Sequence, residues 1–118
     1  MEEFITETFF VSLLCGIIFL IMAAIMHYFP PKEINHLYGY RTPASMKTQE
    51  RWDFAQRFST RQMVRGALVT IILSILGYFI PVAVGIKISI GFVLIVLLAV
   101  YLFISTERAI KERFNDMP

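Results

Sequence analysis

Apolar residues come in three long runs along this chain, with the charged positions gathered between them. No Asp, Glu, Lys or Arg stands between Glu7 and Lys32, between Arg65 and Lys87, or between Lys87 and Glu107. A bilayer core about 30 Å thick takes roughly 20 apolar residues as a helix, with about 17 to 25 workable. All three runs fit. The pattern predicts an all-α membrane protein with three transmembrane helices. The first covers residues 8–29 and stops at Pro30 and Pro31, which lack backbone donors and disfavour helix before them. The second covers 64–80 and stops at Pro81. The third covers 89–106. An outer link, 81–88, turns the chain between the last two and contains Gly85 and Lys87. The tail, 107–118, continues the third span as a helix through Phe114. With no internal repeat, residues 1–118 read as one domain.

The longest polar stretch, 30–63, has its own pattern. Asn35 and Gly39 suit tight or positive-φ backbone. Pro43 suits a first helical turn behind Thr42 as N-cap, and Ser45 offers a second cap. From Met46 the spacing becomes helical: Trp52, Ala55 and Ser59 share one face, with Phe54 and Phe58 beside it. Asp53, Arg57, Arg61 and Arg65 recur every four residues on a third face, where Asp53 and Arg57 are spaced for an ion pair of a few tenths of a kcal/mol. This predicts a cytoplasmic interfacial amphipathic helix between the first and second spans. Its arginines are placed to meet anionic lipid head groups, each worth about 1 kcal/mol near the surface, or an acidic partner. Trp52, Tyr38 and Tyr40 suit the aromatic belt of the interface.

Composition strengthens the membrane reading. The chain has 118 residues, 57% hydrophobic and 17% charged, with a mean hydropathy of +0.65. A soluble domain this short has too much surface for its volume to hide so much apolar area. The first run is also unlike a signal peptide, because Glu2, Glu3 and Glu7 stand where a positive n-region belongs and His27, Tyr28, Phe29, Pro30 and Pro31 stand where small residues would mark cleavage.

Charge then sets orientation. Ten of the eleven basic residues lie in the central loop and the tail, and Lys87 alone lies in the outer link. Basic loops stay inside, so the N-terminus is expected outside and the C-terminus in the cytoplasm of a multi-pass cell-membrane protein. Small residues four apart, Ser12 and Gly16 on the first span and Gly66, Thr70 and Ser74 on the second, let helices approach closely. They serve packing within the chain or a homodimer.

Candidate chemistry is sparse. No ionisable residue sits deep in a span, which argues against an ion-coupled transporter. His27 reads as an interfacial residue and Cys15 as a small packing residue. There is no paired-carboxylate motif, metal-ligand spacing, phosphate loop or serine elbow, so neither a catalytic residue nor a cofactor is expected, nor direct binding of nucleic acid. Arg41 stands apart, set among Tyr38, Tyr40, Thr42 and Ser45 with Asn35 close by. Its planar five-donor guanidinium suits a carboxylate or phosphate clamp and equally suits tying the loop to helix-end carbonyls.

Asn35, the run Tyr38-Gly39-Tyr40-Arg41-Thr42, then Ser45, then Trp52 with Ala55 and Gln56, resemble the signature of the SdpI family of small bacterial membrane proteins. The likeness covers roughly residues 31–61, and the flanking spans agree in placement. It implies immunity of a producing cell to a secreted membrane-active peptide toxin, with a signalling role in which the toxin-engaged protein holds a cytoplasmic repressor at the membrane. The family's best-known member is longer, with an additional N-terminal membrane region. Three readings follow: an immunity protein, a membrane anchor recruiting a cytoplasmic regulator through its basic loop, and a small lipid- or anion-binding protein or carrier using Arg41.

Overall fold

The structure is a computed structural model that describes residues 10–114; the acidic start and the last four residues of the tail lie outside the described residues. Three helices follow in order: α1 (Phe10–Tyr28), α2 (Gln49–Leu76) and α3 (Val84–Phe114), with a 3-10 turn at Gly77–Phe79 after α2. Among the described residues there is no strand. At 1.5 Å per residue α1 is about 28 Å long, α2 about 42 Å and α3 about 46 Å. The surplus over a 30 Å core lies at the end of the bundle where α2 begins and α3 finishes, and there both helices are polar. All three helices are long and apolar enough to cross a membrane.

The amphipathic helix predicted before the second span is continuous with it. Nothing between Gln49 and Arg65 is a Gly or Pro, so no breaker separates the polar half from the apolar half. The helix starts later than residue 46, at Gln49, because Thr48 supplies the cap: its extended backbone (φ −142°, ψ 162°) lets the side chain accept from Arg51 N at 3.1 Å. Thr42 and Ser45 cap each other instead, in a separate single turn closed by Met46 N donating to Thr42 O at 3.0 Å. At the far end α2 stops at Leu76, and Ile80 is extended (φ −89°, ψ 121°) as a residue before proline must be. The link is shorter than predicted. No proline stands in residues 82–88 and the single Gly85 is too weak a breaker to stop a helix, so α3 begins at Val84, and Lys87 lies in its first turn, buried.

Side chains sort opposite to a soluble protein. Ser12, Ser59, Ser74 and Thr106 are fully buried, while most Leu, Ile, Val and Phe side chains along the three helices are exposed, with Leu13, Leu98 and Ile110 as buried exceptions. In lipid, apolar surface gains nothing by turning inward, so small and hydroxylated residues mark where helices meet. The small-residue stripes do pack the chain on itself. The Ser12 and Ser74 hydroxyls share a 2.5 Å hydrogen bond between α1 and α2, and Ser74 also donates to Thr70 O at 2.6 Å. A Cβ on Gly16 would lie 2.9 Å from Ile71 Cγ1 and 3.4 Å from the Ala67 carbonyl oxygen. Nearer the polar end, Ala23, Met26 and Met63 form a small apolar core with Phe19, Val64 and Leu102.

Candidate functional site

The loop between α1 and α2 folds over the polar end of the bundle as a clasp, and its construction starts with two short turns. Asn35 Oδ1 accepts from Leu37 N at 2.9 Å and from Tyr38 N at 2.8 Å, a side chain closing its own backbone turn. Gly39 follows at φ +99°, a conformation L side chains rarely adopt. A Cβ there would also stand 2.6 Å from Gln56 Oε1 and 2.7 Å from Pro31 Cγ. Glycine is required twice over, by torsion and by space.

That close approach lets Gln56 on α2 grip the next residue. Its Oε1 accepts from Tyr40 N at 2.7 Å, and its Nε2 donates to Tyr40 O at 2.7 Å. One buried side-chain amide thereby satisfies both backbone groups of Tyr40, as a neighbouring strand would. Trp52, one turn earlier on α2, is fully buried and donates its indole N–H to Pro31 O at 2.7 Å. It is a buried anchor of the loop and not a residue of the interfacial belt. Tyr38 donates to Phe29 O at 2.6 Å, satisfying a carbonyl at the end of α1.

The third helix joins through a residue the sequence did not single out. Glu107 Oε2 accepts from the Tyr40 hydroxyl at 2.7 Å and from the Thr42 hydroxyl at 2.8 Å. Thr42 N in turn donates to Ser45 Oγ at 2.9 Å, and Ser45 Oγ donates to Thr42 O at 3.0 Å. Burial, and then the hydrogen-bonded negative carboxylate of Glu107, push the Tyr40 phenol above its ordinary value, so Tyr40 is held as a donor. Only its place as the first charge after the third apolar run could have marked Glu107 in the sequence.

Asn35, Tyr38, Gly39, Tyr40, Thr42, Ser45, Trp52 and Gln56 are thus brought together as one network linking the loop to all three helices. Arg41 is placed differently. It is exposed, its Nη1 donates to His36 O, and it lines a largely apolar cleft of about 400 Å³ with Met22, Ile25 and Leu102. Arg57, Arg61 and Arg65 are exposed in a row on α2 and take no part in the clasp's hydrogen bonds. Asp53 accepts from Gln49 Nε2 at 2.8 Å in place of the pairing with Arg57 suggested by their spacing. Downstream, cation–π contacts join the ends of α2 and α3, with Arg51 over Phe114 and Arg113 over Phe54.

No solved structure matches the chain. Over 58 residues, 49% of this chain and 53% of the relative, it is 41% identical to a Bacillus subtilis (strain 168) protein named YfhL and described as uncharacterized. The match therefore spans about half the length of that relative. A family model described as the SdpI/YfhL protein family matches residues 32–106, a stretch that holds the loop, the whole of α2 and most of α3, and stops one residue short of Glu107. With its three membrane-spanning helices and this match over well over half its length, the chain belongs to the SdpI/YfhL protein family.

Proposed function

We propose that this protein is a non-enzymatic immunity protein that protects a cell membrane against a secreted membrane-active peptide. One observation carries the reading: apart from the exposed Arg41, the signature polar groups are spent on one another and on the chain's own backbone, so the motif braces the fold and leaves apolar helix as the surface the molecule presents along its spans. A peptide that acts within a bilayer meets that surface. In this reading the basic end of the bundle is cytoplasmic, as the positive-inside rule predicts from the distribution of Lys and Arg, and residues 80–83 and the helix faces meet the peptide from the outer side. The clasp contributes by holding those faces in one arrangement.

The test is survival of cells carrying the protein, or an empty vector, when challenged with a membrane-active peptide toxin, with membrane levels quantified. Protection by the wild type supports immunity. A Gln56→Ala variant, present at equal level but with the grip on Tyr40 removed, is expected to protect less. Absence of protection at verified wild-type expression would overturn the reading.

A further inference from the structure

The basic row on α2 borders a cleft that the clasp leaves unused. It lies between the end of α1 with Pro30–Lys32 and the first half of α2, and its volume is about 640 Å³, within the size range of small-molecule sites. Three cations line it, Lys32, Arg57 and Arg61, against one carboxylate, Asp53. Asp53 accepts from Gln49, the His27 ring stands edge-on to Tyr28, and the amide and hydroxyl side chains are also engaged. Gln49 Nε2 donates to Lys32 O at 2.6 Å, the Gln56 amide holds Tyr40, and the Thr60 hydroxyl donates to Gln56 O at 2.6 Å. What the cleft offers a ligand is therefore positive charge. Among the described residues, the fold gives the exposed guanidinium groups of Arg57 and Arg61 no partner.

A row of exposed arginines by itself would only attract anionic head groups diffusely. The second cavity distinguishes this place. It has a volume of about 470 Å³, shares His27, Thr60 and Arg61 with the first, and is lined beyond them by Leu20, Ala23, Ala24 and Val64, with Tyr28 and Arg65 at its edge. A cationic compartment thus opens, past Arg61, onto an apolar slot that follows the seam between α1 and α2 toward the middle of the bilayer. A soluble anion would use the first compartment alone. An amphiphile with a phosphate head and a hydrocarbon tail fills both.

We propose that this cleft binds one anionic phospholipid, its phosphate held by Lys32, Arg57 and Arg61 and one acyl chain laid against Leu20, Ala23, Ala24 and Val64. The two arginines suit phosphate because the guanidinium fork can donate two parallel hydrogen bonds to it. The site stands independently of the immunity reading, since it uses none of the clasp's hydrogen bonds and no toxin.

The experiment is native mass spectrometry of the full chain released from bilayer discs containing phosphatidylglycerol and phosphatidylcholine in equal amounts. One phosphatidylglycerol per chain is expected to be retained in preference to phosphatidylcholine. Arg57→Gln and Arg61→Gln are each expected to weaken retention about fivefold, and Ala24→Phe, which fills the slot without changing charge, is expected to weaken it as well. Arg108→Gln removes an exposed cation outside both cavities and is expected to change nothing. All three altered cleft positions are exposed, so the core is untouched, and circular dichroism in detergent verifies that the helices persist. Equal loss with Arg108→Gln would reduce the effect to diffuse attraction and overturn the site. Displacement of phosphatidylglycerol by free glycerol phosphate at comparable concentration, or indifference to Ala24→Phe, would assign the cleft to a soluble phosphate and overturn the lipid.

Discussion

At the scale of single residues, the signature is an exercise in satisfying backbone. Tyr40 gives its own N–H and C=O to Gln56 and its hydroxyl to Glu107, so three elements meet at one tyrosine. Its phenol is raised above the ordinary value of about 10 by burial and by Glu107. A group whose folded-state value is raised contributes stability that is fully present below the unfolded value and is lost as pH rises through the folded one. The clasp should therefore hold from this side across the neutral range and weaken only above about pH 10. Phenolate absorbance reads this directly. Subtracting the Tyr40→Phe titration from that of the wild type should leave no phenolate signal near pH 10 in folded protein, and one tyrosine's worth after denaturation. A full tyrosine titrating normally in the folded difference would show that Tyr40 is not held by Glu107. The sequence made most of this cluster visible, because Asn35, Gly39 and the hydroxyl residues carry local turn chemistry. It hid Glu107, which is 65 residues from Thr42 and whose role exists only once α3 lies beside the loop.

At the scale of helices, hydropathy located the spans well because lipid imposes one length and one polarity on each. The ends were less legible, since they depend on single caps and breakers. Thr48 takes the cap for which Thr42 and Ser45 carry the same side-chain chemistry, and the absence of a breaker between Gln49 and Arg65 fuses an interfacial helix to its neighbouring span. Which small residues matter was also visible as spacing, but their partners were not. The two glycines Gly16 and Gly85 make the distinction measurable. A Cβ on Gly16 meets Ile71 and the Ala67 carbonyl, whereas one on Gly85 finds nothing within 4 Å. Gly16→Leu should push α1 from α2, break the neighbouring Ser12–Ser74 hydrogen bond and cost about 1–3 kcal/mol as overpacking does. Gly85→Leu, in the open first turn of α3, should be nearly neutral or mildly stabilising through helix propensity. Unfolding in mixed detergent micelles compares them, and equal effects would mean that the α1–α2 contact is not the close one described.

For the whole molecule, the two ends of the bundle differ in a way that membrane insertion must read. The body is 49 Å in its longest dimension, and the clasp, the arginine row and the charged end of α3 all lie at one end of it. Among the described residues, the opposite end carries the 3-10 turn Gly77–Phe79, the turn at 80–83 and Lys87, which is buried. Moving ten cations across the bilayer is far costlier than moving one, so the clasp end is expected in the cytoplasm. Cys15 is the single cysteine of these 118 residues, so with Cys15→Ser as background, introduced cysteines can report each side. Val82→Cys and Glu112→Cys both replace exposed residues at opposite ends. A membrane-impermeant maleimide applied to intact cells should label Val82→Cys and spare Glu112→Cys until the membrane is permeabilised. The reverse pattern would put the clasp outside. It would bring the signature to the side where a secreted peptide arrives, and it would move the phospholipid cleft to the outer leaflet. Among the described residues, the expected pattern offers the peptide helix faces and the short turn at 80–83, so protection through them is exercised largely within the bilayer itself.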